Sequence, residues 1–223
     1  MSQAVFITAT DTDAGKTWVT SHLIRALLEQ RENTKAIKPV ACGLNADGDN
    51  NDVKELLNAQ SMEHASSINL YSFSEPAAPC IAAASEGKSI EPEHLKAWCA
   101  KQVNSVNLCL VEAVGGLMVP LTQNYLVSDW LADMPAMPVV LVVGAKLGCI
   151  NHALLSLSHL SNIGREPAWV IINNTDGRQN THTIRKSLQP YLPTTSQVIE
   201  CAHNQPDALA PLLSYLQTNN SSL

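Results

Sequence analysis

The sequence predicts a single-domain α/β fold in which helices flank both faces of a parallel β-sheet. Two observations support this prediction: short apolar runs alternate with longer amphipathic segments, and several of the runs are apolar at every position. Strands that are buried on both faces of a parallel sheet have this second pattern. No linker or composition break interrupts the 223 residues. We therefore expect one domain over residues 1–217 and a frayed tail over residues 218–223.

The period of the apolar residues predicts the elements in chain order. The strands are the short apolar runs, at Val5–Ile7, Lys35–Lys38, Leu108–Val111, Pro138–Val143, Trp169–Ile172 and Val198–Ile199. The helices are the amphipathic segments, at Lys16–Glu29, Asp52–Ala59, Pro92–Ser105, Asn151–Ile163, Thr181–Leu188 and Pro206–Leu216. Ile68–Ala83 contains two prolines and is predicted to be irregular. Right-handed crossovers then place the carboxyl ends of the strands at one edge of the sheet, where ligands of such sheets bind.

Composition and charge argue against several classes of function. With 14 Lys and Arg against 20 Asp and Glu, the net charge is −6, which argues against broad nucleic-acid binding and a polybasic membrane contact. The first residues lack the pattern of a secretory signal, and the longest apolar stretch, Met134–Ala145, is too short to span a membrane. The six cysteines form no CxxC motif. We therefore expect a soluble, cytoplasmic protein with reduced thiols.

The segment Ala9–Thr17 joins the first predicted strand to the first predicted helix and reads A-T-D-T-D-A-G-K-T. Its last three residues are typical of a phosphate-binding loop. Gly15 lets the backbone approach a phosphate, Lys16 reaches the β- and γ-phosphates, and the Thr17 hydroxyl can ligate Mg²⁺. The strict pattern G-x-x-x-x-G-K-[S/T] is not met, because position 10 is Thr, and a chance match in a polar turn is the alternative. The loop predicts a fold of the P-loop NTPase type.

Charged residues at strand ends extend this candidate site. Lys38 ends the second predicted strand and faces the ligand edge of the sheet, although a solvated strand-end lysine is the alternative. Glu112 follows a strand that we expect to be central, where a carboxylate meets Mg²⁺ in phosphate-loop folds. Asp47, Asp49 and Asp52 crowd one loop. One of them could complete a metal site, but their pattern alone favours a solvated acidic loop.

Six blocks of residues, in the same order along the chain, resemble the dethiobiotin synthetase family. They are A-T-D-T-D-A-G-K-T, K-P-V-A-C-G, N-D, Y-S-F-S-E-P-A-A-P, the stretch V-E-A-V-G-G with the proline that follows it, and L-V-V-G-A-K-L-G-C-I-N-H. The resemblance covers residues 3 to about 175. It implies an ATP-dependent carboxylase and cyclo-ligase of biotin synthesis, a homodimer that acts on 7,8-diaminononanoate and CO₂ with MgATP. The implied intermediates are a carbamate and a carbamic–phosphoric anhydride.

The resemblance also implies roles for individual residues. The catalytic residues would be Lys16, Lys38 and Thr12. The nucleotide would be held by Asp13, Ala14, Gly15, Lys16 and Thr17, with Asn173 on the adenine, and Mg²⁺ by Thr17, Asp52 and Glu112. The substrate would contact Thr12, Lys38 and Cys42, and its carboxylate chain would lie near a dimer interface, at Gly148, Cys149, Ile150 and Asn151.

The chain departs from the family pattern at four places. Ala9 replaces the first loop glycine, Cys42 stands where the family usually has Ser, and Ala113 and Val114 replace Gly-Ala. Near Val198–Ala202 the Pro-containing adenine-contact segment of the family is missing. We therefore expect adenine selectivity to be less secure than phosphate binding.

Two other functions compete with a synthetase. Partition- or septum-type ATPases of the same superfamily resemble K-G-G-x-G-K-T, with a lysine at the position of Asp11, and they act as nucleotide-driven dimer switches. Asp11 and the lack of a basic stripe or terminal amphipathic helix argue against this class. A degenerate paralogue that binds nucleotide without turnover is the third possibility, and the intact charged residues argue against it.

Overall fold

Ten strands and eight α-helices make up the computed structural model, which describes residues 3–30 and 33–220. The strands are β1 (Gln3–Ala9), β2 (Thr34–Ile37), β3 (Val40–Cys42), β4 (Tyr71–Phe73), β5 (Leu108–Glu112), β6 (Pro120–Thr122), β7 (Tyr125–Leu126), β8 (Val139–Gly144), β9 (Trp169–Asn173) and β10 (Gln197–Cys201). The helices are α1 (Lys16–Glu29), α2 (Asn51–Ala59), α3 (Pro79–Ser85), α4 (Pro92–Asn104), α5 (Val127–Asp133), α6 (Cys149–Asn162), α7 (Thr181–Leu188) and α8 (Ala210–Asn220).

The central sheet has six strands in the order β10-β9-β8-β1-β5-β2, and every neighbouring pair is parallel. This confirms the predicted fold class. Strands β5, β8 and β9 are buried at every residue, so the sheet is covered on both faces. The crossovers β1–α1–β2 and β8–α6–β9 run in opposite directions along the sheet, and right-handed connections therefore place α1 and α6 on opposite faces.

Aliphatic side chains dominate the core, and the largest fully buried side chain is Trp130 of α5. Its ring packs edge-on against Phe6 of β1, with ring centroids 5.0 Å apart. The register pairs Ile7 with Glu112 and Ala9 with Val142. The carboxyl ends of β1, β5 and β8 therefore meet at one edge of the sheet.

The prediction of an irregular segment over Ile68–Ala83 is wrong. Within it, β4 pairs in parallel with β3 in a small separate sheet, and α3 begins at Pro79. The proline occupies the first turn of a helix, where it lacks only an N–H that would have no intrahelical partner. The sequence prediction also missed the β6–β7 hairpin, because strands of two or three residues are too short to show a period. It missed α5 as well, a helix of only seven residues.

At the carboxyl end, a 3₁₀ turn over Pro206–Leu209 precedes α8, and residues 218–220 of the expected tail lie in that helix. Residues 221–223 lie outside the described part of the chain. In residues 3–30 and 33–220, no helix combines the length and apolar character that crossing a membrane requires.

Candidate active site

The turn between β1 and α1 has the backbone of an anion-binding loop. Gly15 precedes α1 with φ +89°, and a Cβ there would lie 2.1 Å from Asn173 Nδ2, so both the angle and the space require glycine. No side chain caps this helix, which leaves its first N–H groups for a ligand. Ala9 lies within β1 and has no positive φ. Its replacement of the family glycine therefore causes no strain.

Lys16 is the first residue of α1, and its ammonium group is nearly enclosed. Its Nζ donates to the backbone oxygen of Asp11 at 3.1 Å, and the residue is only 6% exposed. Burial, reinforced by the neighbouring Lys38 charge, lowers the pKa of Lys16 to about 8. The loop thus holds a poorly solvated cation beside free helix amides, a combination that favours a phosphate ligand.

A second cation lies at the carboxyl ends of β2 and β5. The Lys38 ammonium is buried and contacts Glu112 Oε1 at 2.6 Å and Asp52 Oδ2 at 3.0 Å. Burial alone would lower the pKa of Lys38, but the two carboxylates outweigh it and raise this pKa. For Asp52, burial would raise the pKa, but the Lys38 charge together with hydrogen bonds from Lys38 and Thr17 lowers it below its usual value.

The carboxylate of Glu112 connects the second cation to the phosphate loop. Its Oε1 also accepts a hydrogen bond from the Thr17 hydroxyl at 2.6 Å. Its Oε2 is buried and has no hydrogen-bond partner among the described residues. A buried carboxylate oxygen without a partner is costly, and a hard divalent cation would satisfy it.

The donors of this cluster fit Mg²⁺. Thr17, Asp52 and Glu112 offer a hydroxyl and two carboxylates, the oxygen ligands that P-loop proteins combine with phosphate oxygens. Among residues 3–30 and 33–220 no three His, Cys, Asp or Glu side chains group as a metal site by themselves. One of the three candidate ligands is a threonine, which is not a member of such a group.

A cavity of about 640 Å³ opens beside this cluster. Eight of the predicted site residues line it, namely Thr12, Asp13, Gly15, Lys16, Thr17, Lys38, Cys42 and Asp52. Burial raises the pKa of the half-buried Cys42 thiol to about 11. The cavity is therefore lined by the candidate phosphate-binding and metal-binding groups together.

Several other predicted residues lie outside the cavity wall. Asn173 ends β9, and its side-chain amide donates to the Ala14 carbonyl at 3.0 Å, which places it behind the phosphate loop. Gly148 precedes α6 with φ +89°, and the segment 148–151 forms the start of that helix. Lys146, two residues earlier, contacts Asp11 of the phosphate loop.

Sequence reasoning missed part of the wall. Trp18 and Glu55 line the cavity together with Pro76–Pro79. The signal for Glu55 was its position three residues after Asp52, on the same face of a helix. Its carboxylate accepts a hydrogen bond of 2.6 Å from the buried Ser21 hydroxyl of α1, so a contact between helices sets its position.

Comparisons with known proteins agree with this geometry. A family described as "AAA domain" matches residues 3–197. The ATP-dependent dethiobiotin synthetase of Baumannia cicadellinicola is 39% identical over 178 residues, which cover 78% of this chain and 79% of that protein. A dethiobiotin synthetase of Escherichia coli K12 is 35% identical with the same coverage.

Solved structures show the fold alone. The hydrogenase maturation factor HypB of Archaeoglobus fulgidus superposes with a TM-score of 0.62 at 13% identity, covering 99% of this chain and 91% of that one. A ParA family ATPase of Chlorobium tepidum gives 0.55 at 14% identity, over 98% and 91% of the two chains. The identity to the synthetases is more than twice as high. On this similarity, and on the phosphate loop and its charged partners, the chain belongs to the dethiobiotin synthetase family of P-loop proteins.

Proposed function

We propose that this chain catalyses the ATP-dependent carboxylation and ring closure of 7,8-diaminononanoate to dethiobiotin. The observation that carries the proposal is the pair of buried ammonium groups, Lys16 and Lys38, beside one cavity with Thr17, Asp52 and Glu112. Family membership supplies the reaction, and this cluster supplies what the reaction needs, which is charge stabilisation rather than a protein nucleophile.

In the proposed reaction one substrate amine bonds to the carbon of CO₂ and loses a proton, which gives a carbamate. A carbamate oxygen then attacks the γ-phosphorus, the bond to ADP breaks, and a carbamic–phosphoric anhydride forms. The second amine attacks the carbamoyl carbon and loses a proton, the bond from that carbon to the phosphate oxygen breaks, and the ureido ring closes as inorganic phosphate leaves. Each step moves negative charge among oxygens, and Lys16 and Lys38 on the cavity wall would stabilise that charge.

Two side chains would orient the diamine in the cavity. Thr12 and Cys42 lie on its wall near the two lysines, and each can hydrogen-bond a substrate amine or carbamate. A thiol is a weak hydrogen-bond partner, so Cys42 would position the substrate mainly by van der Waals contact. Asn173, behind the phosphate loop, is the proposed adenine ligand.

We propose that ATP binds with Mg²⁺ held by Thr17, Asp52 and Glu112. The ion would neutralise charge on the β- and γ-phosphates. Support comes from Glu112, because the Thr17 hydroxyl and the Lys38 ammonium both donate to its Oε1. That arrangement leaves Oε2 for a further ligand.

We also propose a homodimer, with the start of α6 (Gly148, Cys149, Ile150 and Asn151) binding the substrate carboxylate near the interface. Support comes from an apolar surface on this side of the molecule. Leu147 is 97% exposed, and the exposed Met118 and Leu155 line a cavity of about 380 Å³ that also contains Asp11. Exposed apolar side chains around a cavity are typical of interaction sites, and a self-complementary patch closes as a dimer.

A cytoplasmic location is part of the proposal. The six cysteines all lie in the described part of the chain, and none forms a disulfide. Free thiols fit a reducing compartment, and ATP is available there.

The experiment is product formation with ¹³C-bicarbonate. The wild-type protein, incubated with MgATP and 7,8-diaminononanoate, is expected to yield dethiobiotin with one ¹³C in the ureido carbon, detected by mass spectrometry. Lys16→Ala is the matched control and is expected to abolish turnover with the fold intact. A merely twofold loss in that variant would refute the role given to Lys16.

A further inference from the structure

An ion pair joins the phosphate loop to the loop before α6. Lys146 Nζ lies 2.5 Å from Asp11 Oδ2. Asp11 belongs to the turn between β1 and α1, and Lys146 belongs to the turn between β8 and α6. The pair therefore joins the candidate nucleotide site to the loop that precedes the candidate substrate-carboxylate site.

Asp11 makes two further contacts inside the phosphate loop. Its Oδ1 accepts the backbone N–H of Thr12 at 2.8 Å, and its backbone oxygen accepts from Lys16 Nζ at 3.1 Å. The Lys146 hydrogen bond, partly opposed by burial, holds the pKa of Asp11 below its usual value. A single residue thus connects Lys146 to both the loop backbone and the loop lysine.

The backbone of the loop is left-handed at two positions, and one of them is not a glycine. Asp13 has φ +57° and Gly15 has φ +89°, so two of three consecutive residues are in the left-handed region. That region is unfavourable for a residue with a Cβ. The Asp11–Lys146 pair reaches the turn from another loop and so adds a contact that stabilises this conformation.

Charge gives Lys146 a second role. The carboxylate of Asp11 lies next to a loop built for an anion, and without a partner it would repel an incoming triphosphate. Lys146 neutralises that carboxylate. The neutralisation matters most when nucleotide is bound, because the number of negative charges near Asp11 then rises.

We propose that Lys146 is a positioning residue for nucleotide binding, which acts through Asp11 by fixing the phosphate loop and cancelling the Asp11 charge. This inference rests on the proposed function for its nucleotide, and no contact between Lys146 and the reacting atoms is invoked. The Asp11 and Lys146 side chains are 43% and 49% exposed, so the pair itself contributes little to global stability. Its effect therefore belongs to nucleotide affinity.

The test compares Lys146→Met, Lys146→Arg, Asp11→Asn and the double variant K146M/D11N with the wild-type protein. Asparagine keeps an oxygen for the Thr12 N–H and removes the charge. Lys54→Met is the control, because Lys54 pairs with Asp49 at 3.1 Å with a similar exposure and lies outside the cavity wall. Binding of MgATPγS is measured by calorimetry, together with Tm and the KM values for ATP and the diamine.

We expect Lys146→Met to weaken MgATPγS binding about tenfold, with Tm within about 2 °C of wild type and little change in the diamine KM. Lys146→Arg is expected to restore affinity to within about twofold. The double variant is expected to bind nucleotide better than Lys146→Met alone, because it removes the charge that Lys146 no longer neutralises. Lys54→Met is expected to bind like wild type.

Three results would overturn the inference. The first is unchanged nucleotide affinity in Lys146→Met. The second is a raised KM in that variant for the diamine alone. The third is a double variant whose loss of binding free energy equals the sum of the losses in the two single variants. If Lys146→Met fails to fold, Lys146→Arg and Asp11→Asn decide by the same readouts. Calorimetry needs no diamine, so the inference can hold even if the protein fails to form dethiobiotin.

Discussion

Lys38 Nζ lies 2.6 Å from Glu112 Oε1, and both side chains are buried at the ends of neighbouring parallel strands. The register explains this contact, since Ile37 of β2 pairs with Val111 of β5 and the next residues along each strand then lie side by side. The ion pair keeps the centre close to neutral before ligands bind. A buried charge without such a partner would be strongly destabilising.

Glu112→Gln keeps the shape of the side chain and removes its charge. We expect a loss of at least about 100-fold in turnover and a higher Mg²⁺ concentration for half-maximal nucleotide binding, because Oε2 no longer carries a carboxylate charge. Breaking a buried ion pair costs about 3–5 kcal/mol. Asp52 still contacts Lys38 at 3.0 Å, so we expect the free energy of unfolding to fall by less than that range.

Urea unfolding and phosphate release measured across a magnesium titration check this expectation. Glu93→Gln is the control, because Glu93 pairs with Lys96 while its side chain is 88% exposed. We expect that control to change the free energy of unfolding by less than about 0.5 kcal/mol. A Glu112→Gln enzyme with wild-type magnesium dependence would contradict the assignment.

Lys16 should take up a proton when nucleotide binds in mildly alkaline solution. With a pKa of about 8 in the empty site, roughly three quarters of Lys16 is neutral at pH 8.5, and a bound phosphate favours the charged form. We expect Lys16 to take up a large fraction of one proton when MgADP binds at pH 8.5. At pH 7 we expect it to take up much less, because it is already mostly protonated. Affinity should therefore fall as the pH rises above 8. Calorimetry in buffers of different ionisation enthalpy measures the uptake.

The same group affects stability in the empty protein. The pKa of Lys16 is about 8 in the folded state against 10.5 for an ordinary lysine, so the unfolded chain binds more protons between these values. The contribution of Lys16 to the free energy of unfolding therefore rises with pH across that window. Lys16→Met should remove this rise, and an unaltered pH dependence of unfolding in that variant would argue against the lowered pKa.

Cys42 should react slowly with alkylating reagents although it lines the cavity. Its pKa is about 11, so only about 0.1% of the thiol is ionised at pH 8. We expect the rate with iodoacetamide, followed by mass spectrometry of the Cys42 peptide, to rise about tenfold per pH unit up to pH 10. Glutathione is the reference thiol. Modification of Cys42 at the rate of glutathione at pH 7.5 would contradict its burial.

Leu147→Asp should separate the proposed dimer. A charged side chain at the position that is 97% exposed would be buried in the interface without a partner. We expect association to weaken at least roughly 100-fold, measured by analytical ultracentrifugation. Tyr191→Ser changes an exposed aromatic residue outside this patch and is the control. A wild-type protein that is monomeric at 50 micromolar would refute the dimer itself.

Much of the central sheet could be predicted from the sequence, because continuous apolar runs report burial on both faces. Glu112 could be placed at the ligand edge because it follows such a run, and Lys38 because it ends a short predicted strand. Asp52 could not be distinguished from Asp47 and Asp49 by its local pattern, and only the family resemblance singled it out. The structure selects it by its contact with Lys38.

The remaining features depend on contacts that local sequence does not encode. Asp11 and Lys146 are 135 positions apart. They meet because β1 and β8 are neighbouring parallel strands, and each residue lies in the turn that follows one of them. Glu55 reaches the cavity because Ser21 of another helix holds it. The short strands β3 and β4 form because each has the other as a partner, and three residues carry too little periodicity to predict that.

The most direct test of the proposed reaction is phosphate release from ATP with each component omitted in turn. We expect rapid release only when MgATP, 7,8-diaminononanoate and bicarbonate are all present, with one phosphate for each dethiobiotin formed. Omitting the diamine or the bicarbonate should reduce release to background. Equal phosphate release with and without the diamine would contradict the account and identify the protein as an ATPase of another kind.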